Sequence, residues 1–376
     1  MSGKMTEIGP RELRNKLESG EPLTVLDIRE AEEYAEWHIQ ESVNIPVYNA
    51  LNAGKVQSFA ESLDVLPGDR PVVAVCRAGK TSRVAARVLE SRGYSAYSLS
   101  GGMRLWSGVW SEARVPLGST GAPVLVQVRR NAKGCLSYVC CSRGEALVVD
   151  PCVDATAYEE VAHRLGASIV AVAETHIHAD HLSRARDLCG KTGAALLLPE
   201  NDRIQYRFRP LRDGETFGVG GTTLQVLSTP GHTGESACYV LKGEAVLTGD
   251  TLFVESVGRP DLERGDSGAA AGAALLHQSL HEKVLALADD VWVLPAHDSR
   301  PIAFDGTPIG ARLGELRSGI RLLAAGKGEF VTAILHRLGS KPPNFHAIIA
   351  FNEGKADPGA LDPLDLEAGP NRCAVQ

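Results

Sequence analysis

The chain has 376 residues, 44% of them hydrophobic and 23% charged, and a formal net charge of −7. That length exceeds one ordinary core and predicts at least two domains. The composition is that of a soluble globular protein, and the negative balance argues against a nucleic-acid surface. No run approaches the ~18 apolar residues that span a bilayer, and the first ten residues hold no apolar core for a signal peptide and turn acidic at once. A cytoplasmic protein with no nucleic-acid or membrane partner is expected. Eight cysteines form no CxxC pair and no disulfide framework. Seven of them (Cys135, Cys140, Cys141, Cys152, Cys189, Cys238 and Cys373) read as buried reduced thiols; Cys76 is the exception.

Residues 1–112 read as a small α/β domain. The apolar runs 23–27, 71–76 and 95–99 are predicted strands. Between the last two, a helix over 81–90 is expected, with Val84, Val88 and Leu89 on one face and Gly93 ending it. Strand–helix alternation implies a parallel sheet with active loops at the carboxyl ends of its strands. One such loop is Cys76-Arg-Ala-Gly-Lys-Thr-Ser-Arg83. Backbone amides at the following helix start, with Arg77, Lys80 and Arg83, favour a thiolate at Cys76 and hold an anionic sulfur or phosphate group.

Around that loop stand Leu26-Asp-Ile-Arg-Glu30, Glu33-Tyr-Ala-Glu-Trp-His-Ile39, Asn44-Ile-Pro46 and Gly101-Gly-Met-Arg-Leu-Trp106. In order and spacing they resemble the rhodanese (sulfurtransferase) family over roughly residues 5–112. The resemblance implies Cys76 as a nucleophile that carries a persulfide. Arg77, Lys80 and the loop amides would bind the oxyanion of thiosulfate or sulfite, with Asp27 and Arg29 supporting the loop.

Residues 113–122 read as a linker. A second domain is expected over 123–360. Short strands at 124–128, 137–141 and 146–150, then strand–helix alternation to residue 200, then strands at 222–227, 237–241, 245–247 and 291–294, suggest two sheets covered by helices, an αββα sandwich. The basic cluster Arg203, Arg207, Arg209 and Arg212 reads as a solvated loop. Helices dominate after residue 308, and the tail from Asp357 is expected to be partly extended.

The run Thr175-His-Ile-His-Ala-Asp-His181 places four ligand-type side chains in six residues. Burying them unpaired would be costly, and a metal offsets that cost. His176 and His178, two apart at the end of a strand, project to one side. Asp180 and His181 are expected at the start of the next helix. His232, Asp250 and His297 complete the set.

This set resembles the metallo-β-lactamase superfamily over roughly residues 123–350. In its dinuclear members His176, His178 and His232 would hold one zinc, and Asp180, His181 and His297 the other, with Asp250 bridging. Gly249-Asp-Thr-Leu-Phe253, Val257-Gly-Arg-Pro-Asp261, Pro295-Ala-His-Asp298 and Lys341-Pro-Pro-Asn344 resemble more closely the persulfide dioxygenases, a branch related to glyoxalase II. That likeness implies one Fe(II) per chain on His176, His232 and Asp250, with open positions for O2 and substrate. His178, Asp180, His181 and His297 would orient the ligands, and Arg259 would stand near the substrate. Glutathione-using members of this branch often carry a tyrosine after the Pro-Ala-His-Asp run. Here Ser299 and Arg300 follow, which bears on the choice of carrier thiol.

Together the two resemblances imply oxidation of a low-molecular-weight persulfide, such as glutathione persulfide, by O2 to sulfite. Sulfane sulfur would pass between thiosulfate, thiol and sulfite through Cys76, and joining the domains concentrates the shared intermediate. A homo-oligomer is expected. The alternative is a two-Zn(II) thioester hydrolase of glyoxalase II type carrying a rhodanese domain. A persulfide-sensing module ranks third.

Overall fold

Strands Thr24–Asp27 and Val72–Val75 are buried at every position, as the inner strands of a parallel sheet covered on both faces must be. A computed structural model of the chain, describing residues 7–118, 121–300, 302–356, 362–367 and 372–375, shows that sheet. Its strand order is Glu7–Ile8, Ala96–Leu99, Val72–Val75, Thr24–Asp27, Val43–Asn44, and each pairing is parallel. Cys76 leaves the carboxyl end of a central strand and leads into the helix Thr81–Ser91. That helix buries Thr81, Ser82, Ala85, Ala86 and Leu89. Val84 and Val88 are only half-buried, because the small side chains beside them let the helix approach the sheet closely.

The second unit is the expected αββα sandwich. One sheet runs Arg209–Leu211, Ala195–Pro199, Ser168–Ala173, Glu145–Val149, Cys135–Ser142, Val124–Arg130, Ser111–Val115. The other runs Thr216–Val219, Thr222–Ser228, Ala237–Leu241, Ala245–Gly249, Trp292–Pro295, Ala311–Arg312. Leu125, Tyr138 and Leu147 from the first meet Val226, Tyr239 and Leu247 from the second. Alternate residues face outward: Val126, Val139 and Val148 pack under Tyr158 and Val161 of the helix Ala155–Arg164. Val240, Val246 and Val293 pack under Leu276 of Asp261–Ser279 and near Phe330 of Lys327–His336.

Three details differ from the sequence reading. The expected linker at 113–122 starts later, because Ser111–Val115 pairs antiparallel with Val124–Arg130 and belongs to the sandwich; residues 119–120 lie outside the described residues. The basic cluster is a solvated loop only in part, at the exposed Arg207 and Arg212. Arg209–Leu211 is an edge strand, and Arg203 pairs with Glu235, Glu263 and Glu353. In the tail, 357–361 lie outside the described residues, and Pro363–Leu366 is a helical turn. Arg104 of the first domain pairs with Asp362, which caps that turn, and with Asp365 within it. No helix among the described residues is long and apolar enough to cross a membrane.

Candidate metal centre and cysteine loop

The strand Ser168–Ala173 stops two residues before the histidine run, and the next helix, Ala185–Thr192, starts only after it. Asp180 and His181 therefore lie in a loop, not at a helix start, and the loop is held by side chains instead. Asn352 donates to the carbonyls of His178 and His181 at 2.8 and 2.9 Å, and Glu367 accepts from the Leu182 amide at 2.8 Å. Buried Glu367 also pairs with buried Arg130 and half-buried Arg184 at 2.7 and 3.0 Å. The sequence shows no sign of these distant supports.

His176, His178, Asp180, His181, His232, Asp250 and His297 are all buried and brought together. His176 Nδ1 meets the Thr175 hydroxyl at 2.9 Å, and that hydroxyl donates to Asp150 at 2.8 Å. His232 Nδ1 donates to the Arg259 carbonyl at 2.7 Å. Both contacts put the ring proton on Nδ1 and leave Nε2 as a lone pair. Those two Nε2 atoms lie 3.6 and 3.4 Å from Asp250 Oδ2, and none of the three has a hydrogen-bond partner. Unpaired buried polar atoms are costly, and a cation among them removes the cost.

Protonation fits a metal too. Burial pushes the His232 imidazole down to about 4, so it is neutral at pH 7. Burial alone would raise the Asp250 carboxyl, but the facing His297 outweighs it and holds Asp250 well below the usual carboxylate range. The donor set of two imidazoles and a carboxylate thus suits a divalent metal.

The remaining members are partly engaged with one another. His178 Nε2 faces Glu174 at 3.0 Å and Asp150 at 3.2 Å, with its Nδ1 unpartnered. Asp180 accepts from His181 Nδ1 at 3.0 Å and stands 3.0 Å from His297 Nε2. Two cysteines read as inert thiols join this centre. Cys135 Sγ lies 3.3 Å from Asp180, and its ligand atom falls within 4.8 Å of those of Asp180, His181 and His297. Cys373 stands in the same relation to Asp250 and His297. Burial and the facing Asp180 and Asp250 carboxylates push the Cys373 thiol well up. Neither cysteine has a sequence neighbour of ligand type that would have flagged it.

Arg259 departs from the substrate-contact expectation. Its guanidinium donates to both oxygens of Asp261 at 2.8 and 3.0 Å and to the carbonyls of Gly339, Ser340 and Arg372. Those bonds occupy all five of its N–H groups. Its carbonyl, which fixes His232, is the part that serves the site.

In the first domain Cys76 is buried, and its thiol donates to Ser82 Oγ at 3.3 Å. The loop is clamped from behind: Met103 and Arg104 amides donate to the Cys76 and Arg77 carbonyls at 2.8 and 2.9 Å. A Cβ on Gly102, at φ 55°, would collide with the Cys76 carbonyl, so the Gly101-Gly102 pair is a requirement of close approach. Asp27 and Arg29 form a buried ion pair at 2.6 Å behind the loop. Of the three basic residues, Arg77 is held by Glu33 at 2.6 Å and lies over Tyr48, Arg83 pairs with Glu7 at 2.5 Å, and Lys80 is exposed at the helix start. A cavity of about 400 Å³ is lined by Arg77 and Ala78 and, from the second domain, by Pro343, Leu364 and Asp365.

Residues 9–108 match the rhodanese-like domain family, and residues 130–298 match the metallo-β-lactamase superfamily. The mitochondrial persulfide dioxygenase ETHE1 of Bos taurus is 30% identical over 193 residues, covering 48% of this chain and 70% of that protein. A hydroxyacylglutathione hydrolase of Brucella anthropi is 32% identical over 198 residues, covering 50% of this chain and 72% of that protein. Among solved structures, ETHE1 from Myxococcus xanthus superposes with a TM-score of 0.54 at 26% identity, covering 61% of this chain and 98% of that one.

Proposed function

The chain belongs to the metallo-β-lactamase superfamily and carries a rhodanese-like domain ahead of it, and from that premise we propose that it is a persulfide dioxygenase joined to a working sulfurtransferase. The carrying observation is the convergence of His176 Nε2, His232 Nε2 and Asp250 Oδ2, buried and without other partners. A single Fe(II) on this triad would supply the open positions and redox capacity for reaction of a persulfide with O2 to give sulfite. The residues around it hold the ligands in place: Thr175 and the Arg259 carbonyl orient the two imidazoles, and His297 orients Asp250. The persulfide dioxygenase relatives support this chemistry.

In the first domain Cys76 attacks the outer sulfur of thiosulfate; the S–S bond breaks, sulfite leaves and Cys76 holds the persulfide. A thiol such as glutathione then takes that sulfur and becomes the substrate of the metal site. The same steps reversed return thiosulfate from persulfide and sulfite. Arg77, Lys80 and Arg83 supply the positive charge for the anion, and Arg77 must exchange Glu33 for it.

The test is O2 uptake by anaerobically purified, Fe(II)-loaded protein on addition of glutathione persulfide, with sulfite measured in the same vessel. Uptake matched by sulfite is expected. No uptake with iron bound would sink the dioxygenase reading for this thiol.

A second reading is favoured by one observation: ligand atoms of Cys135, Asp180, His181 and His297 also lie within 4.8 Å of one another. A second metal there would suit a dinuclear zinc thioester hydrolase, as the hydroxyacylglutathione hydrolase relative suggests. Two zinc ions per chain and turnover of S-lactoylglutathione would support it.

A further inference from the structure

The histidine loop ends on a backbone amide that neither a strand nor a helix satisfies. Leu182 follows His181, lies ahead of the helix Ala185–Thr192 and is buried. A buried N–H needs an acceptor, and here it is Glu367 Oε1 at 2.8 Å, from 185 residues further along the chain. The bond fixes the end of the loop that carries Asp180 and His181. Asp180 stands 3.0 Å from His297 Nε2, and His297 Nδ1 donates to Asp250 Oδ1 at 2.6 Å. Asp250 Oδ2 is thereby left for His176 and His232. Where Leu182 is held thus bears on which oxygen Asp250 presents.

Glu367 is itself held on several sides. Its Oε1 also accepts from Arg184 at 3.0 Å, and its Oε2 pairs with Arg130 at 2.7 Å. Glu367 and Arg130 are each 1% exposed. Arg130 Nε in turn donates to the Ser107 carbonyl of the first domain at 2.6 Å. The backbone is pinned as well: Lys133 donates to the Glu367 carbonyl at 2.8 Å and Asn344 to the Leu366 carbonyl at 3.0 Å. Leu366 packs in one cluster with Leu182 and Ile348. Burial alone would raise the Glu367 carboxyl, but Arg130 and then Arg184 outweigh it and hold it below its usual range, so the acceptor is ionised and the bond to Leu182 is a strong one. A glutamate that served only the turn Pro363–Leu366 would spend its oxygens on that turn. This one spends both on the domain that holds the metal ligands.

We propose that Glu367 is a positioning residue of the metal centre, acting through the Leu182 amide on the line Asp180–His297–Asp250, and that Arg130 and the Ser107 carbonyl hold it in place. The tail and the first domain then both belong to the frame of the metal site, although neither supplies a ligand of the triad. The inference rests on the metal reading of His176, His232 and Asp250 and not on which reaction follows.

The test is the zinc affinity of the full-length protein, by competition with a chromophoric chelator, in two paired variants. Arg130→Met/Glu367→Gln removes both charges and keeps an oxygen for the Leu182 amide. Arg130→Met/Glu367→Leu removes both charges and the acceptor. Changing the ion pair as a unit avoids leaving one buried charge alone. The leucine pair should bind zinc roughly 10–100-fold more weakly than wild type, and the glutamine pair close to wild type. In a His297→Ala background the line to Asp250 is already cut, so the leucine pair should cost no further affinity. Equal affinity of the two pairs overturns the proposal. An undiminished loss in the His297→Ala background overturns it too, because it marks a general loosening of the fold. If the leucine pair does not fold, Glu367→Asp decides, since it keeps the charge and draws the carboxylate back by one methylene: weakened zinc binding supports the proposal and wild-type affinity overturns it. A wild-type protein that takes up no zinc removes the metal reading and this inference together.

Discussion

Asp250 divides its two oxygens: Oδ1 accepts from His297 Nδ1 at 2.6 Å, while Oδ2 is left toward His176 and His232. A carboxylate held this way presents one oxygen to one metal. His297→Ala should therefore leave one metal per chain and weaken its binding by roughly 10–100-fold, the usual effect of removing a group that orients a ligand. Competition with a chelator measures the affinity, and elemental analysis the count. A fall from two ions to one in the variant would instead place His297 in a second site.

The two proposed chemistries fall to separate domains with separate cores, so they should be separable. His176→Ala is expected to remove metal and O2 uptake and leave thiosulfate sulfurtransfer near the wild-type rate. Cys76→Ser should do the reverse. Loss of both activities in either variant would mean that the reactions share more than an intermediate.

Gly102→Ala tests the clamp behind Cys76. At φ 55° an alanine is strained, and its Cβ meets the Cys76 carbonyl; such strain costs about 1–3 kcal/mol. Sulfurtransfer should fall sharply while metal content stays constant, and a fully active variant would show that the loop is not held from behind.

Legibility followed the range of the signal. The strands at 72–75, 96–99, 237–241 and 245–249 announce themselves as short apolar runs, and the histidine run as a local spacing no core needs. The edge strands Glu7–Ile8, Val43–Asn44 and Ala311–Arg312 are two residues long and carry no periodicity to read. Asn352 and Glu367 support the site from more than 170 residues beyond His178, His181 and Leu182, and Cys373 reaches Asp250 from more than 120 residues beyond it. Only tertiary packing brings them there. Arg259 lay within reach of sequence reasoning as a charged residue near the ligands, but its partners Gly339, Ser340 and Arg372 are backbone carbonyls, which no residue pattern reveals.

Arg259→Ala should act on stability before it acts on substrate. The change leaves Asp261 without its buried partner and three carbonyls without donors. Breaking a buried pair costs about 3–5 kcal/mol. The denaturant midpoint should drop accordingly. A variant of unchanged stability with a raised KM would return Arg259 to the role of a substrate contact.

The pH dependence of the chelator-stripped protein follows from opposed shifts in one cluster. Burial lowers His181 and His232 from 6.5 to about 4. Their folded values lie below the unfolded ones, so each contributes stability that is complete above pH 6.5 and lost as pH falls toward 4, about 3 kcal/mol apiece. Burial raises Glu174 from 4.5 to about 7, and the stability tied to its proton is lost as pH rises across that window, offsetting one of the two histidines. For His297 burial is outweighed by Asp180 and Asp250, which raise it to about 10; its contribution is complete below pH 6.5 and lost as pH climbs toward 10. His178, raised by Asp150 and Glu174 against its burial, acts in the same direction. Cys152, lowered from 9.0 to about 7 by Cys135 and Arg130 against its burial, returns part of that loss above pH 7. The sum is a maximum near pH 6.5 with a fall on both sides, read as urea midpoints between pH 4 and 9. His297→Ala should flatten the alkaline limb alone, and stability that rose steadily from pH 6.5 to 9 would contradict the clamp between Asp180 and Asp250.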